Sequence, residues 1–208
     1  FNINEDKLIN VCAAVECIHS YSLIHDDLPC MDNDSVRRGK PATHIKYGEA
    51  SAVLAGSSLL TLAFEIIADK KYKLNPKSKN EIVQSLGRCS GHTGIAGGQE
   101  LDLKFENKNK TFNQIVDMQK KKTGKLFNFC LYAVAVVANL NNKEKIFLSK
   151  LGEEVGLLFQ LSDDFLDIKG SKKIIGKSVK KDNKKGKSTL LSLMGHKKAY
   201  MYAYKLKK

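Results

Sequence analysis

Apolar residues recur at spacings of three and four along most of the chain, which is the pattern of amphipathic helices. The pattern is clear over residues 6–25 and again over residues 48–69. Alternation of apolar and polar residues between turn dipeptides, which is typical of strands, is absent. The sequence therefore predicts an all-α protein. Further helices are expected at about residues 79–96, 112–139, 144–168 and 188–206.

Glycine and proline mark the expected ends of these helices. Breaks are predicted at residues 39–41, at the Asn-Pro pair of residues 75–76, at the glycine pair of residues 97–98 and over a lysine-rich stretch, residues 169–187. The chain has 208 residues and 42% hydrophobic content, which is enough to bury one core. We therefore expect a single domain over residues 1–208.

Cysteine content and apolar runs narrow the class of protein. The five cysteines show no C-x-x-C spacing, so neither a zinc knuckle nor a disulfide framework is indicated. A reducing compartment, and hence a cytoplasmic protein, is expected. The longest apolar run, residues 129–138, has about half the length that a bilayer-spanning helix requires, so no membrane span is predicted.

The net charge of +13 has two interpretations. Residues 169–187 hold nine lysines against the single Asp182 and form either a solvated loop or a lid that faces a polyanionic ligand. A general excess of positive charge also occurs in proteins that bind nucleic acid. The aromatic residues that single-stranded nucleic acid sites place among their basic residues are missing, and we expect no nucleic-acid partner.

The densest charge lies in residues 22–40, SLIHDDLPCMDNDSVRRGK. Like charges at this spacing repel, and a carboxylate that faces a cavity loses hydration, so the group needs a compensating cation or full solvent exposure. An acidic surface turn is the simpler alternative. The residues concerned are Asp26, Asp27, Asp32 and Asp34, followed by Arg37, Arg38 and Lys40.

A second aspartate cluster, FQLSDDFLD, occupies residues 159–167 of a predicted long helix. Asp163 and Asp167 are four residues apart, about 40° around a helix, so both point to one face, and Gln160 lies on that face too. Such a pair can hold one metal ion between two carboxylates. In the first cluster Asp26 and Asp32 would be about 120° apart on a regular helix, so an interruption must realign them.

Pro29 supplies a reason for that interruption, because proline lacks a backbone donor and clashes with the preceding helical turn. If the two clusters face each other across a cavity, their oxygen ligands suit Mg²⁺, which commonly bridges one or two carboxylates to substrate phosphates. Arginine and lysine side chains nearby would hold the remaining phosphate oxygens. Acidic residues followed by basic ones are thus what a metal diphosphate site needs.

These motifs resemble those of the trans-isoprenyl diphosphate synthases, or polyprenyl synthetases. DDLPCMD with the following NDSVRRGKPATHIKYGEASAVLAG is similar to the longer form of the first aspartate-rich motif of that family, and FQLSDDFLD is similar to the second. GQELDL, KTGKLF and KDNKKGKSTLL are similar in order and spacing. The resemblance covers essentially the whole chain. It implies an all-α isoprenoid-synthase helical bundle around a deep central cavity, usually a homodimer.

The resemblance also implies a set of site residues. Three Mg²⁺ ions are expected, held by Asp26, Asp32 and Asp163, with Asp27 and Asp167 assisting. Diphosphate contacts are expected from Arg37, Lys122 and Lys177, and isopentenyl diphosphate contacts from His19 and Arg38. A carbocation would be stabilised by Thr123, Gln160 and the carbonyl of Lys122. Gln99 and Asp102 are expected near the cavity, and Lys187 is a further candidate for a phosphate.

Some residues have simpler interpretations. His19 on an apolar helix face could be a hydrogen-bonded core histidine, and His25 is read as structural. The GKST of residues 186–189 lacks the glycine that a phosphate loop requires five residues earlier, and no strand is predicted before it.

The family members condense isopentenyl diphosphate head to tail with an allylic diphosphate. Tyr21 and Ser22 lie about one helical turn before Asp26, where the prenyl tail would meet the floor of the cavity. An aromatic residue there resembles farnesyl diphosphate synthases, and Tyr21 is therefore expected to limit the product. Geranyl or geranylgeranyl diphosphate synthase activity remains the alternative.

Two further classes remain as rivals. A terpene cyclase would use a DDxxD motif and Mg²⁺, but its second motif is not another aspartate-rich one. A non-catalytic regulatory subunit would lose one of the aspartate motifs, and both are present. Family members begin with helices that carry a Gly-Lys-Arg element and continue for further helices after the last motif. Residues 1–208 are therefore expected to be the catalytic domain without those N-terminal and C-terminal helices.

Overall fold

The computed structural model describes residues 3–169, with side chains up to 167, and residues 187–207. Helices form nearly all of its regular structure, which confirms the all-α prediction. The elements are a short 3₁₀ turn (Glu5–Lys7), α1 (Ile9–Asp26), β1 (Val36–Arg37), β2 (Lys40–Pro41), α2 (Thr43–Tyr47), α3 (Glu49–Ala68), α4 (Pro76–Ser90), α5 (Ile95–Phe105), α6 (Phe112–Gln119), a π-helical segment (Lys120–Gly124), α7 (Lys125–Val137), α8 (Asn142–Lys169), α9 (Leu190–Met194) and α10 (His196–Leu206).

Helix starts follow local capping chemistry. The predicted break at residues 75–76 is confirmed, because Asn75 accepts a hydrogen bond from Ser78 N at 2.9 Å and Pro76 occupies the first turn of α4. α6 begins with a capping box in which Thr111 and Gln114 satisfy each other's backbone donors.

Two apolar clusters form the core. The larger one joins α1, α3, α4 and α7 around Ile18, Ile67, Leu86 and Phe129. The smaller one joins α5, α6, α8 and α9. A cavity takes Ile95 from the first cluster and Met118 from the second, so it lies where the two clusters meet. The smaller cluster is built from Phe105, Ile115, Met118, Leu157, Leu161 and Leu190.

The predicted break at Gly97–Gly98 is wrong. Both glycines lie inside α5, and the predicted helix 79–96 instead ends at Ser90. A Cβ on Gly98 would lie 2.5 Å from the Cα of Lys122 and closer still to its backbone nitrogen. Glycine is therefore present here because α5 and the π-helical segment approach backbone to backbone.

A two-stranded hairpin was not foreseen. β1 and β2 pair antiparallel, with Arg37 opposite Lys40, and the turn between them is Arg38-Gly39. Both turn residues have positive φ, 52° and 75°, which is the conformation of a type I′ hairpin turn. The expected break at residues 39–41 is thus a turn that directs the two arginines.

α3 is long and apolar enough, by length and composition, to cross a membrane. Core helices of other folds pass the same test, so this finding is weak evidence for a span. Leu54 is 67% exposed, and the exposed face of α3 otherwise combines apolar with small hydroxyl side chains. The exposed residues in this middle part of α3 are Val53, Leu54, Ser57, Ser58, Thr61 and Leu62.

Candidate active site

A cavity of about 600 Å³ lies between α1, α5, the π-helical segment and α8. Seven aspartates and four basic side chains line it, so its wall carries both signs of charge at close range. The aspartates are Asp26, Asp32, Asp34, Asp102, Asp163, Asp164 and Asp167, and the basic residues are Arg37, Arg38, Lys122 and Lys187. The structure thus brings the two aspartate clusters to one cavity, as the sequence predicted.

The first cluster follows the end of α1. The helix stops at Asp26, three residues before Pro29, since the residue before a proline disfavours the helical conformation. The chain then turns back so that Asp32 N donates to Asp26 O at 2.8 Å. The interruption brings both side chains to the cavity wall.

Asp27 is placed differently from its prediction as an assisting metal ligand. It is 2% exposed and lies outside the cavity lining. Each of its carboxylate oxygens accepts from Arg37 Nε at 3.1 Å, and Arg37 Nη2 also contacts it. Both oxygens are therefore occupied by the guanidinium, and Asp27 acts as the partner that holds Arg37 at the cavity wall. Burial alone would lower the pKa of Arg37, but Asp27 raises it.

The second cluster lies in the C-terminal part of α8, where the helix is uninterrupted. Asp163 and Asp167 both line the cavity, one helical turn apart. Asp164, between them, is 4% exposed and accepts hydrogen bonds from two glutamine side chains.

Two lysines contact Asp102 of α5, and one of them, Lys187, also contacts the first cluster. Lys122 Nζ lies 2.6 Å from Asp102 Oδ2, and Lys187 Nζ lies 3.0 Å from the same oxygen. Lys187 also donates to both oxygens of Asp32, at 3.2 and 3.1 Å. The expectation that Gln99 and Asp102 lie near the cavity agrees with their place in its lining.

Burial and these lysines set the charge states. Burial raises the pKa of Asp26, and Lys122 only partly offsets that effect. Burial would also raise the pKa values of Asp32 and Asp102, but Lys122 and Lys187 outweigh it and lower both. Burial would lower the pKa of Lys187, whereas Asp102 and Asp32 raise it. The ligand-free site therefore holds a charged Lys187 in contact with the charged carboxylates of Asp32 and Asp102.

Lys187 is held by the residues that follow it. Ser188 Oγ donates to Phe105 O at 3.1 Å and to Lys108 O at 2.9 Å, at the end of α5. Thr189 accepts from Ser192 N and caps α9. The two hydroxyls of the GKST sequence thus anchor the chain, and their use agrees with rejecting a phosphate loop.

The π-helical segment presents Lys122 and Thr123. Such single-turn insertions displace the following side chains relative to a regular helix and are frequent at functional sites. Thr123 Oγ1 donates to Gln160 Oε1 at 2.9 Å, which joins this segment to α8. The three residues predicted to stabilise a carbocation, Lys122, Thr123 and Gln160, therefore meet at one side of the cavity.

The remaining predicted residues fall into three groups. His19 and Arg38, predicted to bind the same substrate, are brought together, with His19 Nε2 3.2 Å from Arg38 Nη2. Tyr21 belongs to the larger core cluster and donates to Ser90 O at 3.1 Å, while its neighbour Ser22 lines the cavity. Lys177 lies outside the described residues.

Sequence reasoning missed the roles of Gln119 and Asp164. Gln119 is 3% exposed and lies 45 positions from Asp164, so no local pattern marked it. Asp164 had a signal, because adjacent side chains on a helix point about 100° apart, so Asp164 could not share the direction of Asp163.

The donor set suits a hard cation that also binds substrate. Among the described residues no group of three or more His, Cys, Asp or Glu side chains is placed to hold a metal ion alone. Mg²⁺ typically uses one or two carboxylates and completes its shell with water and phosphate oxygens. Asp26 and Asp32 on one wall, and Asp163 and Asp167 on the other, fit that requirement.

Comparisons with known proteins agree with this geometry. Farnesyl diphosphate synthase of Bacillus subtilis is 43% identical over 198 residues, which are 93% of this chain and 67% of that protein. The Escherichia coli enzyme of the same name is 41% identical over 197 residues, 94% of this chain and 66% of that protein. The chain thus spans about two thirds of the length of the curated relatives it matches.

Solved structures show the same fold. An FPP/GFPP synthase from Zymomonas mobilis has a TM-score of 0.86 and 40% identity, covering 99% of this chain and 69% of that one. A geranyltransferase from Helicobacter pylori, solved with magnesium and isoprenyl diphosphate, has a TM-score of 0.88 and 35% identity, covering 97% of this chain and 65% of that one. Residues 2–207 match the family model described as polyprenyl synthetase. With two aspartate clusters on one cavity and a match over nearly every residue, the chain belongs to the polyprenyl synthetase family.

Proposed function

We propose that the protein is a Mg²⁺-dependent prenyltransferase that condenses isopentenyl diphosphate with dimethylallyl and then geranyl diphosphate to give farnesyl diphosphate. The observation that carries the proposal is the single cavity lined by both aspartate clusters and by Arg37, Lys122 and Lys187. Curated relatives named farnesyl diphosphate synthase, at 40–43% identity, support the reaction class and the product.

Substrate binding follows from the charges of the wall. Arg37, held by Asp27, and Lys122, held by Asp102, offer the positive groups for the allylic diphosphate. Lys177 is proposed as a third such group, by the family resemblance. His19 and Arg38, which are in contact, are proposed to bind isopentenyl diphosphate.

Metal ions would be held by Asp26, Asp32, Asp163 and Asp167. We infer three Mg²⁺ ions per site, and the Helicobacter pylori neighbour with magnesium supports the choice of metal. When bound, Mg²⁺ supplies positive charge to the oxygens of the leaving diphosphate.

The reaction proceeds in three steps. The bond between C1 and oxygen of the allylic diphosphate breaks, and its electron pair goes to the diphosphate, where Arg37 and Lys122 stabilise the added charge. The double bond of isopentenyl diphosphate attacks C1 and forms the new carbon–carbon bond. A proton then leaves the resulting cation for an oxygen of the departed diphosphate. Thr123, Gln160 and the Lys122 carbonyl present oxygen atoms to the cationic carbons during these steps.

The experiment that tests this function uses the intact protein, because the chain spans only about two thirds of its relatives. Purified protein, Mg²⁺, isopentenyl diphosphate and dimethylallyl, geranyl or farnesyl diphosphate are incubated, and product length is analysed. Farnesyl diphosphate as the main product supports the proposal. A geranyl or geranylgeranyl product would correct the product length, and no turnover with any allylic substrate would favour a non-catalytic subunit.

Product length has its own test in Tyr21, which lies beside the cavity residue Ser22. We expect that Tyr21→Ala, by removing a ring from the floor, shifts the product to geranylgeranyl diphosphate or longer chains. Tyr21→Phe keeps the ring, loses only the hydrogen bond to Ser90 O, and should leave the product unchanged. An unaltered product distribution in Tyr21→Ala would show that the floor lies elsewhere.

We further propose that the protein is a soluble, cytoplasmic homodimer whose interface includes the exposed face of α3. A monomer would leave Val53, Leu54 and Leu62 exposed to water, and a second copy would bury them. Sedimentation of the intact protein should give the mass of two chains. Leu54→Glu should lower the sedimentation mass toward that of one chain. Tyr200→Glu, at a similarly exposed position on α10, should leave the mass unchanged.

A further inference from the structure

Asp164 has a place in the site that metal binding does not explain. It follows Asp163 directly on α8, and adjacent side chains on a helix point about 100° apart. Asp163 is exposed, whereas Asp164 is 4% exposed and lies on the inner side of the helix. A buried carboxylate requires hydrogen-bond donors, and the amides of Gln119 and Gln160 are two of the donors to Asp164.

The hydrogen bonds fix which end of each amide faces Asp164. Gln160 Nε2 donates to Asp164 Oδ1 at 3.1 Å, and Gln119 Nε2 approaches Oδ2 at 3.4 Å. Each amide thus turns its NH₂ group to Asp164, as is required of a group that donates to a carboxylate oxygen. Gln119 Oε1 is buried and has no hydrogen-bond partner among the described residues. This orientation of the Gln119 amide therefore leaves one polar atom unsatisfied.

The orientation of Gln160 then determines that of Thr123. With its NH₂ group on Asp164, Gln160 turns Oε1 toward Thr123, whose hydroxyl donates to it at 2.9 Å. The single hydroxyl hydrogen of Thr123 is thereby used, and its lone pairs remain available. Both side chains line the cavity, so the site presents acceptor oxygens there. A reversed Gln160 amide would present an NH₂ group instead, whose positive end repels a cation.

We propose that Asp164 is a positioning residue that sets the polarity of the chain Asp164–Gln160–Thr123, so that oxygen atoms face the allylic cation. The proposal rests on the proposed function for its catalytic meaning. Asp164 itself touches neither substrate nor metal in this account and acts through the amide of Gln160.

A double-mutant cycle in the intact enzyme tests the coupling. Asp164→Asn keeps the shape but can accept from only one glutamine, so the amide of Gln160 loses its fixed orientation. We expect kcat to fall about 100-fold, the size of effect seen when one oriented dipole is lost from a reacting centre. Gln160→Ala should cost a similar factor, and the double variant should be no worse than either single one. The KM for the allylic substrate and the Mg²⁺ midpoint should change less than about threefold, since no metal ligand is removed.

The outcomes separate this role from the alternatives. Additive losses in the cycle, or a large shift of the Mg²⁺ midpoint for Asp164→Asn, would overturn the positioning role. Asp117→Asn is the matched control, because Asp117 is an exposed helical aspartate paired with Lys121 and lies outside the cavity lining. It should leave kcat unchanged.

A second measurement needs no turnover. In ligand-free protein labelled with ¹⁵N-glutamine, the side-chain amide of Gln160 should be protected from solvent exchange, and Asp164→Asn should remove that protection while Asp117→Asn preserves it. Unchanged protection in Asp164→Asn would overturn the proposal even if the enzyme catalyses prenyl transfer. Lost protection in a protein without prenyl transfer would uphold the geometry and refute the proposed function.

Discussion

Each aspartate cluster contains an Asp-Asp pair, and the two residues of each pair lie in different surroundings. In each Asp-Asp pair the first residue, Asp26 or Asp163, lines the cavity. The second, Asp27 or Asp164, is buried. Asp27 holds the guanidinium of Arg37, and Asp164 accepts from the amides of Gln119 and Gln160. The repeated dipeptide therefore combines one carboxylate on the cavity wall, the proposed metal ligand, with one buried carboxylate that holds a neighbouring group.

The clusters also differ in how their cavity-facing residues are brought together. In the first, α1 ends and the chain turns back, so that Asp26 and Asp32 meet six positions apart. In the second, an unbroken helix is enough, since Asp163 and Asp167 are one turn apart. The first cluster also contacts Lys187, which the ligand-free site holds between Asp32 and Asp102. We therefore expect metal binding at the first cluster to compete with this internal cation.

The largest expected effect concerns the first residue of each pair. Asp26→Ala and Asp163→Ala each remove a proposed metal ligand from a site where stabilisation of the leaving group depends on metal. Turnover should fall on the order of 10³-fold or more, as steady-state kinetics at saturating Mg²⁺ would measure. Folding should survive. Near-normal turnover in either variant would show that the clusters do not both hold metal.

The second residue of the first pair should act mainly on stability. Asp27→Asn breaks a buried ion pair and leaves Arg37 poorly compensated, which should lower the free energy of unfolding by about 3 kcal/mol. Urea unfolding measures this change. Glu100→Gln, which removes an exposed pair with Lys104, should change the free energy of unfolding far less, because water screens that pair. Equal effects from the two variants would contradict the distinct role given to Asp27.

A smaller effect is expected where α5 meets the segment that carries Lys122. Gly98→Ala places a Cβ against the Lys122 backbone, which should destabilise the fold by about 2 kcal/mol and reduce turnover by displacing Lys122 from Asp102. Thermal unfolding and kinetics report the two changes. Gly87→Ala is the matched control, since its Cβ would make only ordinary contact with Phe64, and alanine should stabilise α4 by up to about 1 kcal/mol.

The smallest expected effect tests the competition at the first cluster. Lys187→Met removes the cation that contacts Asp32, so the ligand-free intact protein should bind Mg²⁺ roughly fivefold more tightly, for a pair worth about 1 kcal/mol. Titration calorimetry measures this affinity. Turnover should fall at the same time, because a positive group for the diphosphate is lost. Weaker Mg²⁺ binding in Lys187→Met would mean that Lys187 supports the metal site instead of competing with it.

Much of the fold was predictable, because helices and their ends depend on residues that are close together along the chain. Helical periodicity gave α1, α3 and α8 within a few residues, and Asn75 with Pro76 marked the start of α4. The glycine pair at 97–98 gave a wrong prediction of a helix end. Glycine is found where helices end and also where two backbones approach closely, and only the contact of Gly98 with Lys122 distinguishes these two uses. Likewise, the type I′ turn at Arg38-Gly39 lacks the common Asn-Gly signal.

The sequence by itself determined the family, the helical class and the two aspartate clusters, since each is encoded in residues close together along the chain. Only the tertiary structure decided which groups Asp32 and Asp164 contact, because those groups lie far away in sequence. Lys187 meets Asp32 across 155 positions, and Gln119 meets Asp164 across 45. Burial and hydrogen bonding between such distant groups arise when helices pack, and no local pattern carries them.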